Sequence, residues 1–147
     1  MQPIITLTDT HDNDACKSII NQLNQFNSVS VEIMDYRPLA IIVENHDTGE
    51  TLGGLLGFTL WSVLFITHLI LPESMRNIGL GRRLLIQAED EAIRRGCHSA
   101  WLDTFSFQAP GFYEKLGYIV SETIEDHPSG HSRFFLKKRL FKINAAN

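Results

Sequence analysis

The spacing of hydrophobic and polar positions along the chain predicts an alternation of strands and helices. Apolar residues at helical spacing, followed by glycine or turn residues, predict helices over residues 12–26, 79–95 and 110–116. Short apolar or β-branched runs predict strands over residues 4–8, 39–44, 51–59, 63–71, 100–105, 118–123 and 133–138. We expect Asp12 or Asp14 to cap the first helix and Gly96 to end the second. This order predicts one mixed α/β domain over residues 1–147.

A run without Asp, Glu, Lys or Arg extends from residue 51 to residue 72 and is long enough to span a bilayer. Glycines crowd its first half, and the acidic residues Glu50 and Glu73 flank it. Two buried strands joined near residues 59–62 explain the run better, because central strands are nearly continuous in apolar residues. We therefore expect no membrane span.

The composition excludes several classes of protein. Hydrophobic residues make up 44% and charged residues 20% of the chain, which is typical of a globular rather than a disordered protein. A formal net charge of −4 argues against a nucleic-acid partner. Cys16 and Cys97 lie far apart, without a CxxC or Cys/His cluster, and the N-terminus does not resemble a signal peptide. We therefore expect a reduced, cytoplasmic protein that needs no metal.

A glycine-containing loop before the second predicted helix has the character of an anion site. It reads Arg76, Asn77, Ile78, Gly79, Leu80, Gly81. Its glycines let the backbone turn tightly and present N–H groups at a helix N-terminus, where the helix dipole also favours a phosphate. Arg76, Arg82 and Arg83 add positive charge. Alone, the loop is equally well explained as a turn, because it fits neither the GxGxxG nor the Walker A pattern.

A second motif extends from Gln108 to Tyr118. Its last seven residues are Phe112-Tyr113-Glu114-Lys115-Leu116-Gly117-Tyr118. Alone, it predicts an aromatic-rich short helix leading into a strand. Together, the two motifs resemble the GNAT superfamily of acetyl-CoA-dependent N-acetyltransferases. That family carries Arg/Gln-x-x-Gly-x-Gly/Ala after its fourth strand and Phe-Tyr-Glu-Lys-x-Gly-Phe/Tyr further along. The resemblance covers roughly residues 30–140.

The resemblance implies a mixed, mostly antiparallel central sheet that is flanked by helices and splayed between the fourth and fifth strands. Acetyl-CoA would lie in that gap, next to Arg76 and Asn77. Its pyrophosphate would accept hydrogen bonds from the backbone N–H groups of Ile78, Gly79, Leu80, Gly81 and Arg82. Leu69 and Leu71 would hydrogen-bond its pantetheine arm through their backbones. Gln108 and Phe112 would line its other side.

The resemblance also implies direct attack on acetyl-CoA, in a ternary complex, by a primary amine of a small molecule or peptide. A backbone N–H near Leu69 would polarise the thioester carbonyl and stabilise the oxyanion. Tyr113 matches the family tyrosine that protonates the departing thiolate, and a phenol with a pKa of about 10 is still protonated at neutral pH. The alternative for Tyr113 is a buried aromatic ring that only packs.

The sequence leaves the general base unassigned. Thr67 and Phe65 are expected to share a face with Leu69, and neither titrates usefully. His68 is expected to point to the opposite face, as a hydrogen-bonded core or supporting side chain. The remaining candidates are Asp103, Glu44 and a chain of waters.

The loop of residues 125–131 holds two histidines and two acids, but its proline and glycine argue against a metal site. It is equally a solvated turn or, as in the family, a border of the acceptor pocket in which Asp126 attracts an amine. Trp61 and Phe65 would make that pocket aromatic. The sequence does not identify the acceptor. Homodimers are common in the family, and apolar strands at the C-terminal edge of the sheet can pair.

Two other functions stay open. A non-catalytic acyl-CoA-binding or regulatory module on the same fold is favoured by the missing base on the fourth predicted strand. A nucleotide-binding domain of another kind is disfavoured, since the GxGxxG and Walker A patterns are absent. Turnover with any amine distinguishes an enzyme from a binding module.

Overall fold

The computed structural model describes residues 1–31 and 34–141. The chain divides into two compact units, Met1–Met34 and Asp35–Asn147, and the prediction of a single domain stays a prediction. The first unit contains helix α1, Asp14–Asn27. Asn13 caps it, since its side chain accepts a hydrogen bond from the Cys16 N–H at 2.9 Å. The prediction of Asp12 or Asp14 as the cap was wrong, because Asn13 has the extended conformation that a cap requires and Asp14 already lies in the first turn.

Residues 4–8 do not form the strand that their β-branched pattern predicts. They are exposed, and no strand in the described part of the chain pairs with them. A strand gains its hydrogen bonds from a neighbour, which a local pattern of apolar residues does not supply. That prediction was therefore wrong.

The second unit is built on a sheet of six strands in the order β1-β2-β3-β4-β6-β5. The strands are β1 (Arg37–Glu44), β2 (Thr51–Leu60), β3 (Val63–Ile70), β4 (Ser99–Phe105), β5 (Ile119–Glu125) and β6 (Ser132–Arg139). Helix α2 (Leu80–Arg94) connects β3 to β4, and helix α3 (Pro110–Lys115) connects β4 to β5. All neighbouring strands are antiparallel except β3 and β4. This architecture confirms the predicted fold class.

The sheet splays between β3 and β4. These two strands are paired only from Val63 opposite Ser99 to Ile66 opposite Leu102. Beyond that point both strands continue without pairing to each other, β3 to Ile70 and β4 to Phe105. The unpaired halves border a gap at the carboxyl ends of the two strands, as the family resemblance implies for the fourth and fifth predicted strands.

The uncharged segment of residues 51–72 forms β2 and β3, as predicted. Neither α1, with 14 residues, nor α2, with 15, is long and apolar enough to cross a membrane, and no other helix in the described ranges is.

Helix α2 packs on one face of the sheet, and hydrogen bonds fix its C-terminal end. Its buried apolar residues are Leu84, Leu85, Ala88 and Ala92, as the helical spacing predicts. At its C-terminal end, Arg95 donates to the carbonyls of Arg37 and Pro38 and to the Thr59 hydroxyl, each at 3.2 Å. Gly96 then ends the helix in a left-handed conformation.

Candidate functional site

Three elements meet at the open end of the gap between β3 and β4. A Cβ placed on Gly81, in the first turn of α2, would lie 3.3 Å from Phe112 Cζ and 3.7 Å from Leu71 Cδ1. Leu71 follows β3, and Phe112 lies on α3. The structure therefore brings together residues from the two sequence motifs and the end of β3. Any larger residue at Gly81 would displace the Phe112 ring.

The N-terminus of α2 offers hydrogen-bond donors without a side-chain cap. Gly79 occupies the capping position with φ +79°, and the described residues provide no side-chain hydrogen bond there and no acid in the first turn. The first helical bond runs from the Arg83 N–H to the Gly79 carbonyl at 3.1 Å. The N–H groups of Leu80, Gly81 and Arg82 therefore have no partner within the helix. Together with the helix dipole they form a local environment that favours an anion.

The loop before α2 is held against the end of β3. The Arg76 side chain donates from Nε to the Leu71 carbonyl at 3.0 Å, so this arginine fixes the loop as well as adding charge. Asn77 has a left-handed conformation with φ +61°. Ile78, the next residue, is exposed. These contacts place the loop beside the gap, at the N-terminal end of α2.

Gln108 shapes the turn between β4 and α3. Its Oε1 accepts hydrogen bonds from the Thr104 hydroxyl and from the Phe105 N–H, both at 3.0 Å. Its own N–H donates to the Phe105 carbonyl at 2.9 Å. The predicted position on the strand-to-helix turn is confirmed, and the side-chain oxygen is used in building that turn.

Tyr113 lies on α3, half-buried against the core. Its ring makes edge contacts with Phe112, at a centroid distance of 5.1 Å, and with Tyr118, at 6.0 Å. Burial, and secondarily the negative charge of Asp103, raises the pKa of Tyr113 above its ordinary value of 10. The phenol is therefore protonated over the whole neutral range and is able to donate a proton.

A β-bulge at Thr67 changes which residues of β3 share a face. Leu56 pairs with His68 and the next residue, Gly57, pairs with Ile66, so Thr67 has no partner. Leu69 lies opposite the fully buried Leu55, on the core face that Ile66 also occupies. The prediction that Thr67 and Phe65 share a face with Leu69 was therefore wrong, because the extra residue shifts the alternation by one.

His68 points to the face opposite Leu69, as predicted, but this face is exposed at His68, so the interpretation as a core histidine was wrong. Its Nδ1 lies 2.9 Å from the Thr67 hydroxyl, which itself donates to the Leu56 carbonyl. Glu44 lies on the edge strand β1, with β2 between it and β3, and is thus separated from the gap. Asp103 lies on the unpaired half of β4 and accepts a hydrogen bond from Arg133 Nε at 2.9 Å.

A row of aromatic rings crosses the sheet on the face opposite the core, and the sequence analysis found only one of its members, Phe65. Phe65 stacks on Phe58 at a centroid distance of 4.8 Å and meets the edge of Trp101 at 5.1 Å. Tyr36 extends the row beyond Phe58. Phe65 and Trp101 form the next-to-last pair before β3 and β4 separate. The members of the aromatic row come from three strands and the segment before β1, so no local sequence pattern identifies the row.

The structure does not bring Trp61 together with the loop of residues 125–131. Trp61 lies in the turn before β3, at the paired end of β3 and β4. The loop follows β5, and its His127 and His131 contact Phe105 and Phe107 at the opposite end of β4. Asp126 accepts a hydrogen bond from the Gly130 N–H at 2.9 Å within the loop. Within the described ranges, no group of three or more His, Cys, Asp or Glu is placed to hold a metal ion.

Glu89 is a buried residue that the sequence analysis missed. It lies on α2 at 7% exposure, among positions whose polar residues otherwise face outward. Its partners are Tyr118 and Lys138, on other elements. A single glutamate in an amphipathic helix gives no local signal that distinguishes it from its exposed neighbours.

Comparison with known proteins gives consistent results. The model of the acetyltransferase (GNAT) family matches residues 11–118. An acetyltransferase of Agrobacterium fabrum is 37% identical over 133 residues, which are 90% of this chain and 96% of that protein. Blasticidin-S acetyltransferase of Streptomyces morookaense is 37% identical over 111 residues, 74% of this chain and 82% of that protein. The crystal structure of an acetyltransferase from Bacillus cereus is 36% identical, with a TM-score of 0.83 over 95% of this chain and 98% of that one.

Proposed function

Because the chain belongs to the GNAT acetyltransferase family, we propose that it transfers the acetyl group of acetyl-CoA to a primary amine by direct attack in a ternary complex. The observation that carries the proposal is the meeting of Leu71, Gly81 and Phe112 at the open end of the gap, beside an uncapped helix N-terminus. The gap and the helix terminus suit the two chemically different parts of acetyl-CoA, an extended amide-containing arm and a pyrophosphate.

The chain's own residues would bind acetyl-CoA along the gap. The pyrophosphate would accept hydrogen bonds from the N–H groups of Ile78, Gly79, Leu80, Gly81 and Arg82. Arg76 and Asn77, at the start of the same loop, would also lie next to the cofactor. The unpaired backbone of β3 around Leu69 and Leu71 would hydrogen-bond the pantetheine amides as a neighbouring strand does. Since the Leu71 carbonyl already accepts from Arg76, its N–H is the group we assign to the ligand. Phe112 and Gln108 would line the opposite side.

Two groups would promote the transfer. Acetyl-CoA supplies an activated acetyl thioester. The backbone N–H near Leu69 would donate to the acetyl oxygen and stabilise the negative charge that develops there. Tyr113 would donate its phenolic proton to the departing sulfur. The amine would lose its proton to a water or to Asp103 or His68, which lie on the unpaired halves of the two strands.

The assignment of Tyr113 predicts a specific pH dependence. Because the pKa of Tyr113 is raised by burial and by Asp103, the acid form persists above pH 10, and we expect kcat to fall only above that value. Replacing Asp103 by asparagine removes the negative charge and should move the midpoint of this alkaline decline in kcat to lower pH, whether or not the loss of a candidate base also lowers kcat at neutral pH. The measurement is kcat against pH for both proteins. A limb that starts below pH 10 in the wild type, or that Asp103→Asn leaves in place, would contradict the assignment.

The acceptor is proposed to be a small amine. One relative is a blasticidin-S acetyltransferase, and this similarity favours a small molecule over a macromolecule. The negative net charge suits a cationic acceptor. A cytoplasmic location and a homodimer stay predictions.

A non-catalytic acyl-CoA-binding module is the second candidate, and one observation favours it. Leu64 and Ile66, on the same face of β3 as Leu69, are apolar, so that face offers no base on the strand itself. Turnover separates the two functions. The test is the release of free CoA thiol from acetyl-CoA with a panel of aliphatic amines, aminoglycosides and nucleoside amines, against the matching alcohols. Amine-dependent release supports the enzyme, whereas binding of acetyl-CoA without release by any amine supports the module.

A further inference from the structure

Three side chains that the proposed reaction does not use form a hydrogen-bonded group beside Tyr113, two of them buried and the third, Lys138, partly exposed. We call Glu89, Tyr118 and Lys138 the Glu89 triad. The Tyr118 hydroxyl donates to Glu89 Oε2 at 2.8 Å, and Lys138 Nζ donates to Glu89 Oε1 at 2.8 Å. Glu89 is 7% exposed and Tyr118 is 2% exposed. Since these residues lie on α2, directly before β5 and on β6, the triad joins three separate elements.

The Tyr113 side chain is held mainly by packing. In the described part of the chain its hydroxyl has no hydrogen-bond partner, so the proton is available and the ring has no polar anchor. The ring is positioned by the edge contacts with Phe112 and Tyr118. Tyr118 also donates its backbone N–H to the Tyr113 carbonyl at 3.1 Å. Tyr118 thus touches Tyr113 through both its ring and its backbone.

Tyr118 is itself fixed by the other members of the triad. A buried carboxylate needs donors on both oxygens, and Glu89 finds one in Tyr118 and the other in Lys138. The Lys138 ammonium also lies 5.6 Å from the centroid of the Tyr118 ring. Burial, followed by the charge of Glu89, raises the pKa of Tyr118 far above its ordinary value, so the phenol is protonated at neutral pH and is able to donate to Glu89.

We infer that Glu89 and Tyr118 are positioning residues for the transfer reaction: they orient the Tyr113 ring so that its hydroxyl meets the departing sulfur. This inference rests on the proposed function, because it assigns Tyr113 the role of proton donor. Glu89 lies in the second half of α2, and the N-terminus of the same helix holds the proposed pyrophosphate site.

The test uses Tyr118→Phe, which keeps the ring against Tyr113 and removes only the hydroxyl that binds Glu89. Misplacement of a reacting group by about 1 Å costs up to roughly 100-fold in rate, and we expect kcat to fall about 10- to 100-fold. The KM for acetyl-CoA should stay unchanged, since the variant does not touch the gap. Glu89→Gln is the second variant and should lower kcat in the same way, and Tyr36→Phe is the control tyrosine.

A double-mutant cycle separates positioning from a merely structural role. If the triad acts through Tyr113, Tyr118→Phe should lower kcat in the wild type but leave it nearly unchanged in a Tyr113→Phe background. An equal loss in both backgrounds, a rise in KM at constant kcat, or full activity of both Tyr118→Phe and Glu89→Gln overturns the inference. If the folded wild-type protein turns over no amine, both the proposed function and the inference are overturned. If it does turn over an amine, but the effects of Tyr118→Phe and Tyr113→Phe on the logarithm of kcat simply add, only the inference is overturned.

Discussion

Replacing Tyr113 by phenylalanine is expected to lower kcat by about 10²- to 10⁴-fold, the range typical of a lost general acid. The ring would keep its contacts with Phe112 and Tyr118, so packing should be preserved. The Tyr113 hydroxyl has no hydrogen-bond partner in the described ranges, and its removal leaves no buried group unsatisfied. Affinity for acetyl-CoA should therefore change little. Steady-state kinetics with saturating amine, together with the dissociation constant for acetyl-CoA, measure the two effects separately.

The matched control is Tyr36→Phe, which removes an equivalent hydroxyl from the exposed end of the aromatic row. This variant should keep the wild-type kcat. A fully active Tyr113→Phe protein would show that Tyr113 is only a packing residue. A Tyr113→Phe protein that loses acetyl-CoA affinity but keeps its kcat would place the residue in binding rather than in proton transfer.

Replacing Gly79 by glutamate is expected to abolish acetyl-CoA binding in a protein that still folds. A Cβ at Gly79 meets nothing within 4 Å, so the side chain fits, although φ +79° makes any non-glycine residue mildly strained. The carboxylate would lie among the donors of the α2 N-terminus, where the pyrophosphate is proposed to bind. Like charges at close range cost several kcal/mol, which corresponds to a loss of affinity of at least about 100-fold.

Gly96→Glu is the matched control, because Gly96 also has a left-handed conformation, φ +86°, and open space around it. It lies at the other end of the same helix, away from the gap. Its carboxylate at a helix C-terminus should lower stability by about 0.3–1 kcal/mol but leave acetyl-CoA binding intact. Isothermal titration of each folded variant with acetyl-CoA gives the comparison. Equal affinity of Gly79→Glu and Gly96→Glu would remove the pyrophosphate from the α2 N-terminus.

Elements with a strong local sequence pattern could be predicted. Features that depend on another part of the chain, such as a pairing strand or the backbone of a turn, could not. The apolar spacing of α2 and the glycine at its end predicted the helix within one residue at each end. Residues 4–8 have an equally good strand pattern, but among residues 1–31 and 34–141 no strand pairs with them, and local sequence does not encode a partner. The Asn13 cap was missed because three neighbouring residues are all good caps, and the backbone of the turn decides which of them is used.

The same division holds for the candidate site. The family resemblance carried by the two motifs implied that the α2 N-terminus and α3 belong to one site, and the structure places Gly81 and Phe112 next to each other. The bulge at Thr67 could not be predicted, because it depends on the register between β2 and β3 rather than on either sequence. Because of this bulge, Ile66 rather than Phe65 lies on the same face of β3 as Leu69. The Glu89 triad was missed for a related reason, since its members are far apart in sequence.

The most direct test of acetyl-CoA binding in the gap is the melting temperature of the wild-type protein with and without acetyl-CoA, with NAD and ATP as controls. A ligand at about 100 times its dissociation constant adds roughly 2.7 kcal/mol to the free energy of unfolding. For a domain of this size, that corresponds to a rise of about 5–10 °C. We predict this rise with acetyl-CoA and none with NAD or ATP. A folded protein whose melting temperature acetyl-CoA leaves unchanged would contradict the proposed cofactor site.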